Sequence, residues 1–319
     1  MQPGLGAIEA AAETVYAVMP PTPQYRWPQI CARLGVEVWL KHENHTPIGA
    51  FKLRGGLVYF AQRAAELADG VITATRGNHD QSLGFAAARH GIPAVVVVPR
   101  GNSAEKNAAM RGLGVELVVH GDDFQAAREH AEAQARRRNL HLMPAFHPLL
   151  VTGVATYSRE LLTAVADIDV AYVPIGLGSG ICGMLAVRDA LGLKTRIVGV
   201  VSAHASAYAR SFEAGVAVTS PATTALADGM ACRVPEPAAL EIIRRGVERI
   251  VEVTDDEIAD AMRLLFECTH NVAEGAGAAA LAAVAQERGK LAGRRVAAVL
   301  SGGNVDRDVF ASVLTSGSG

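Results

Sequence analysis

The chain has 319 residues, half of them hydrophobic and 19% charged, enough apolar material for two cores and too much for a disordered chain. Its 30 basic and 32 acidic residues leave a net charge of −2, with no basic surplus to point to nucleic acid. Four scattered cysteines (Cys31, Cys182, Cys232, Cys268) form no CxxC pair, which predicts a reducing, cytoplasmic setting. No basic residue precedes Arg26, so a signal peptide is not expected. Asp, Pro or clustered Gly interrupt every apolar stretch, so no membrane span is expected either.

Along the chain, apolar runs predict buried strands at Val38–Leu40, Val71–Ala74, Ala94–Val98 and Val115–Val119. Asp122 and Asp123 are N-cap candidates for a helix over Phe124–Arg138, and a further strand is expected near residue 141. Strands follow at Val170–Ile175 and Arg196–Val201. Thr254 and Glu257 have the spacing of a capping box, opening a helix to about His270. Ala276–Glu287 is alanine-rich and helical, Val296–Leu300 is a strand, and the tail from Thr315 to Gly319 should fray. This alternation predicts an α/β fold with open, mostly parallel sheets in two lobes and the functional site in the cleft between them. The expected division sets residues 65–145 apart as a small domain, with 1–64 and 146–319 as the large one.

Chemistry-bearing residues gather where strands end. Val170–Ile175 runs into Gly176-Leu177-Gly178-Ser179-Gly180-Ile181-Cys182-Gly183 ahead of a helix, a pattern suited to an anion such as a phosphate. Gly178, Gly180 and Gly183 also match G-x-G-x-x-G, but Val200-Val201-Ser202-Ala203-His204 lacks the acid a dinucleotide site needs. After the strand at 71–74 comes Thr75-Arg76-Gly77-Asn78-His79-Asp80-Gln81-Ser82, whose backbone N–H groups and amide could hold a carboxylate and a ring oxygen. Only five of the 30 basic residues are lysines. Lys52, between Phe51 and Leu53 at a helix start, is the candidate amine nucleophile, because an apolar setting lowers its pKa. Lys41 ends a strand, Lys106 lies in a helix starting near Ser103, and Lys194 and Lys290 sit in polar turns. Ser301-Gly302-Gly303-Asn304 ends the last strand, where a hydroxyl could meet a heterocyclic nitrogen. No Cys/His cluster has zinc spacing, and His42, His45, His120, His141 and His147 read as structural or surface residues.

Taken together, these segments resemble the threonine/serine dehydratases of the fold type II (tryptophan-synthase-β-like) pyridoxal-phosphate enzymes. The matching landmarks are Thr22-Pro23, Leu40-Lys41-His42-Glu43-Asn44, Gly49 to Gly55 around Lys52, Arg76-Gly77-Asn78-His79 with Gln81, Gly176–Gly180, and Ser301 to Asn304. They stand in register from about residue 14 to 312. The resemblance implies pyridoxal 5'-phosphate held covalently by Lys52, with Phe51 beside the ring and Asn78 on the ring hydroxyl oxygen. Backbone N–H groups of Gly176, Leu177, Gly178, Ser179 and Gly180 would cradle the phosphate, and Ser301 would meet the ring nitrogen. Arg76, Gly77, Asn78, His79 and Asp80 would bind the substrate. It implies β-elimination: L-threonine to 2-oxobutanoate and ammonia, or L-serine to pyruvate and ammonia, by a cytoplasmic homodimer.

Some residues depart from the family pattern. Leu177 and Ser179 replace glycines of the phosphate loop, and Asp80 stands where Ala or Gly is common. Val201 occupies the place of a metal-binding Glu, so no metal is expected there. The stretch after Ser301 is short, so allosteric control through a C-terminal regulatory domain is not expected. Arg76 replaces the serine of racemising relatives, so elimination with little racemisation is expected. Arg76 could instead pair with Asp80, or bind a second carboxylate and favour 3-hydroxyaspartate. Rival readings are a cysteine-synthase-like β-replacement enzyme, an NAD-dependent oxidoreductase, and a non-catalytic binding protein.

Overall fold

The computed structural model describes residues 2–75 and 77–316. Its strands are β1 (Gln24–Arg26), β2 (Glu37–His42), β3 (Val71–Ala74), β4 (Ala94–Val98), β5 (Glu116–Val119), β6 (His141–Leu142), β7 (Val170–Pro174), β8 (Arg196–Ser202), β9 (Arg249–Val253) and β10 (Arg295–Leu300). The first helices are α1 (Leu5–Tyr16), α2 (Pro28–Leu34), α3 (Lys52–Arg63), α4 (Asn78–His90), α5 (Ala104–Gly112), α6 (Phe124–Arg138) and α7 (Pro148–Ala164). Then follow α8 (Ser179–Ala190), α9 (Ala207–Ala214), α10 (Pro237–Gly246), α11 (Asp255–Thr269), α12 (Gly275–Glu287) and α13 (Arg307–Thr315).

Two sheets result, as the alternation of signals predicts. One has six strands in the order β1-β2-β10-β7-β8-β9 and the other four in the order β5-β4-β3-β6. Every pairing is parallel except β1 with β2. Helices cover both faces, which is why the strands read as unbroken apolar runs. On β10, Val296, Ala298 and Leu300 join a core with α11 and α12, while Ala297 and Val299 face α7 and α8. On β4, Val96 and Val98 pack toward α4 and α5, and Val95 and Val97 toward α6.

The predicted caps form as local chemistry requires. Asp123 accepts from the Ala126 N–H, and Thr254 and Glu257 close both halves of a capping box. Two strands carry no readable signal. β1 is three half-exposed polar residues on an antiparallel edge, and β9 is an edge strand interrupted by Glu252. Among the described residues no helix is long and apolar enough to cross a membrane.

Candidate active site

β7, β10 and β3 are all parallel members of their sheets, so their carboxyl ends deliver three loops to one cleft. Phe51, Lys52, Asn78, Glu274 and Ser301 line the cleft together with Gly176–Gly180. The Lys52 segment is stitched to the β10 loop by backbone bonds. The Phe51 N–H donates to Ser301 O at 3.1 Å and the Gly303 N–H to Gly49 O at 2.9 Å.

Lys52 opens α3 with its Nζ 5.1 Å from the Phe51 ring centroid. Phe51 in turn meets Tyr157 edge-on, at 6.1 Å between centroids. Burial holds the Lys52 amine below the ordinary lysine range, although the nearby Glu274 and Asp80 favour its charge. Opposite lies the glycine loop, with Gly178 in the left-handed region (φ 100°) at the N-cap of α8. A Cβ at Gly176 would come within 2.5 Å of Gly229 O, and one at Gly178 within 2.8 Å of the Ala239 Cβ. The loop is therefore too closely packed for a side chain at either position, and it brings the N-terminus of α8, with its unpaired N–H groups, to the cleft. Leu177, which departs from the glycine pattern, packs at the margin of the apolar cluster of α8 and α10, while its carbonyl accepts from Tyr208 Oη at 2.9 Å. Ser301 is buried, and its Oγ lies 3.3 Å from Ala276 O.

The third loop is polarised by a chain of amides. Asn304 Nδ2 donates to Ile48 O and to Asn78 Oδ1, each at 2.8 Å. With the carbonyl side of Asn78 thus occupied, its Nδ2 points the other way and donates to Glu274 Oε1 at 2.6 Å. Asn78 lines the cleft, whereas Gly77, His79 and Asp80 lie on the same turn without lining it. Asp80 is fully buried, and neither carboxylate oxygen has a hydrogen-bond partner among the described residues. Burial pushes its pKa up to about 7 and that of His79 down to about 3. Arg76, expected to pair with Asp80 or to meet the substrate, lies outside the described residues.

Glu274, the N-cap residue of α12, is missing from the site read in the sequence. Its only local signal is an acid beside Gly275 and Gly277, ahead of an alanine-rich helix. It is buried, with Oε2 lacking a hydrogen-bond partner among the described residues. Burial raises its pKa to about 7. A carboxyl raised in this way binds its proton in the folded chain at pH values where the unfolded chain, at about 4.3, has lost it. Stability is therefore lost as pH rises from about 4 to about 7. Glu274→Gln is expected to gain stability over wild type across that interval, read as a Tm difference on cofactor-free protein that widens with pH. A difference independent of pH would contradict this state of Glu274.

Beneath Lys52 a charged cluster anchors α3. Arg54, fully buried, donates to Glu43 through Nε at 2.7 Å and to Glu160 through Nη1 at 2.6 Å and Nη2 at 2.9 Å. Thr156 and Thr22 accept from Nη1 and Nη2 at 2.9 and 3.1 Å. Lys41 Nζ reaches Glu160 at 2.5 Å. In the sequence Lys41 stands out as a strand-end lysine set against Lys52 and as a landmark, Glu43 and Arg54 only as landmarks, and Glu160 not at all. Among the described residues no cluster of His, Cys, Asp and Glu is arranged to hold a metal.

The sequence model described as pyridoxal-phosphate dependent enzyme matches residues 16–302. The chain is 37% identical to an L-threonine ammonia-lyase of Geobacter sulfurreducens, over 89% of this chain and 71% of that one. It is 31% identical to a biosynthetic L-threonine dehydratase of Haemophilus influenzae, over 95% of this chain and 60% of the other. Among solved structures, the processed form of threonine deaminase isoform 2 from Solanum lycopersicum superposes with a TM-score of 0.91 at 27% identity. That match covers 99% of this chain and 95% of the other.

Proposed function

Because the chain belongs to the pyridoxal-phosphate-dependent enzyme family, we propose that it is an ammonia-lyase for hydroxy amino acids. It converts L-threonine to 2-oxobutanoate and ammonia, or L-serine to pyruvate and ammonia. The observation that carries this reading is the convergence of Lys52, Asn78, Ser301 and the 176–180 loop on one cleft, in a chain whose relatives are named for threonine elimination. The dinucleotide alternative loses its basis, since the same glycine loop falls within the family match.

The cleft suits the cofactor on its own chemistry. The loop is backed so tightly that a Cβ at Gly176 would strike Gly229 O, and it offers backbone donors at the start of α8, as a phosphate requires. The Ser301 hydroxyl is a neutral partner for a ring nitrogen, and the Asn78 amide can donate to a ring oxygen. Bound there, pyridoxal phosphate supplies an electron-accepting ring that acidifies the substrate's α C–H bond.

The protein's own groups do the rest. Lys52 would hold the cofactor and would accept the α proton; desolvation keeps its amine able to take it. The first turn of α4, with the Asn78 and His79 N–H groups, receives the substrate carboxylate. Loss of water and then hydrolysis balance as threonine to 2-oxobutanoate plus ammonia. In this reading residues 65–145 form a small domain that brings the substrate loop to a large domain made of 1–64 and 146–319.

The test is a spectrum followed by a substrate panel. Purified protein supplied with pyridoxal phosphate should show a visible band that borohydride abolishes, leaving a reduced adduct on Lys52. Threonine and serine should yield 2-oxo acid faster than either diastereomer of 3-hydroxyaspartate. A protein that stays colourless, or that releases 2-oxo acid from none of these, would overturn the assignment.

A further inference from the structure

Lys106 is only 9% exposed, unusual for a lysine, and it lies in the first turn of α5, on the side of the four-stranded sheet. Its stem crosses the backbone of Gly77, where a Cβ would meet Lys106 Cδ at 3.0 Å. Its Nζ then donates to Asp228 Oδ2 at 2.7 Å. Asp228 belongs to the other sheet's side, and its neighbours Gly229 and Met230 line the cleft. Two further bonds from the same end of α5 cross in parallel: Ser103 Oγ donates to Asp306 at 2.5 Å, and the Arg307 N–H donates to Glu105 at 3.1 Å. Burial opposes the ammonium charge, but Asp228, Glu274 and Asp306 around it outweigh burial and hold the pKa above the ordinary lysine value. A lysine kept protonated and paired is no nucleophile; what it offers is a fixed charge pressed against the loop that leads to Asn78.

We propose that Lys106 is a positioning residue: paired with Asp228, it clamps the Gly77–Asn78 turn in the arrangement that receives the substrate. The proposal rests on the reading of that turn as the carboxylate site. It assigns to the pair the substrate affinity and not the chemical step. It also differs from direct capture of the carboxylate by Lys106, because a clamp needs Asp228 whereas direct capture would be helped by its removal.

The experiment compares Lys106→Met, Asp228→Asn and the double variant in the cofactor-loaded enzyme. Each single change should raise KM for threonine about tenfold with kcat within about threefold, and the double should be no worse than either single, since both break one interaction. Hydrogen exchange of residues 100–112, measured without substrate, should speed up equally in all three, with the visible cofactor band unchanged. Additive effects, an unchanged KM in either single variant, or a lowered KM in Asp228→Asn would overturn the clamp. The exchange measurement needs no turnover, so an inactive wild type counts against the proposed function, while unchanged exchange in Lys106→Met counts against the clamp alone.

Discussion

Lys52→Ala is expected to lower turnover at least about 10⁴-fold and to remove the borohydride-reducible adduct, since one amine both holds the cofactor and moves the α proton. No other lysine can take its place. Lys41 is buried against Glu160, Lys106 is paired to Asp228, and Lys194 and Lys290 are exposed. The phosphate loop and Ser301 remain intact in this variant, so pyridoxal phosphate should still bind, reversibly and without a covalent link. Absorbance after gel filtration and single-turnover measurement of 2-oxo acid check both parts. Undiminished activity, or a reduced adduct on Lys41 or Lys106, would remove Lys52 from its assigned role.

Arg54→Leu should destabilise the fold by about 3–5 kcal/mol, because it strips the shared cation from two buried carboxylates. Arg54 fills every donor it has in that cluster, and leucine restores some volume but none of the five N–H groups. The pH dependence separates this cause from a simple packing loss. In the wild type, burial would raise the Glu160 pKa, but Arg54 and Lys41 outweigh it and hold it below the ordinary value. That contribution is present above the unfolded pKa of about 4.3 and disappears as pH falls through the lower folded pKa. Without Arg54 the Glu160 carboxyl should titrate upward, so the variant's deficit should grow from pH 5 to pH 8. Urea unfolding at both pH values measures it. An equal deficit at the two would assign the loss to packing instead. Because Arg54 lies two residues after Lys52, a loosened α3 should also weaken cofactor binding.

What the sequence determined by itself is what local chemistry and burial pattern control. The run Ala94–Val98 is apolar on both faces and becomes β4 between helices; Thr254 and Glu257 are three residues apart and close their own capping box. The α/β architecture, the limits of α6 and the three strand-end loops follow from such short-range signals. So does the family, because Lys52, Asn78, the 176–180 loop and Ser301 each carry a recognisable neighbourhood. The strands β1 and β9 were decided by pairing at sheet edges and not by their own residues. Tertiary structure alone decided which polar groups meet: Arg54 with Glu160 across 106 positions, Lys106 with Asp228 across 122, Asn78 with Glu274 across 196. Nothing in the residues flanking Lys106 separates it from a surface lysine, and Glu274 looks like an ordinary helix-opening acid. Their roles arise from burial beside partners far away in the chain, and the free energy of a buried charge depends on what surrounds it in space.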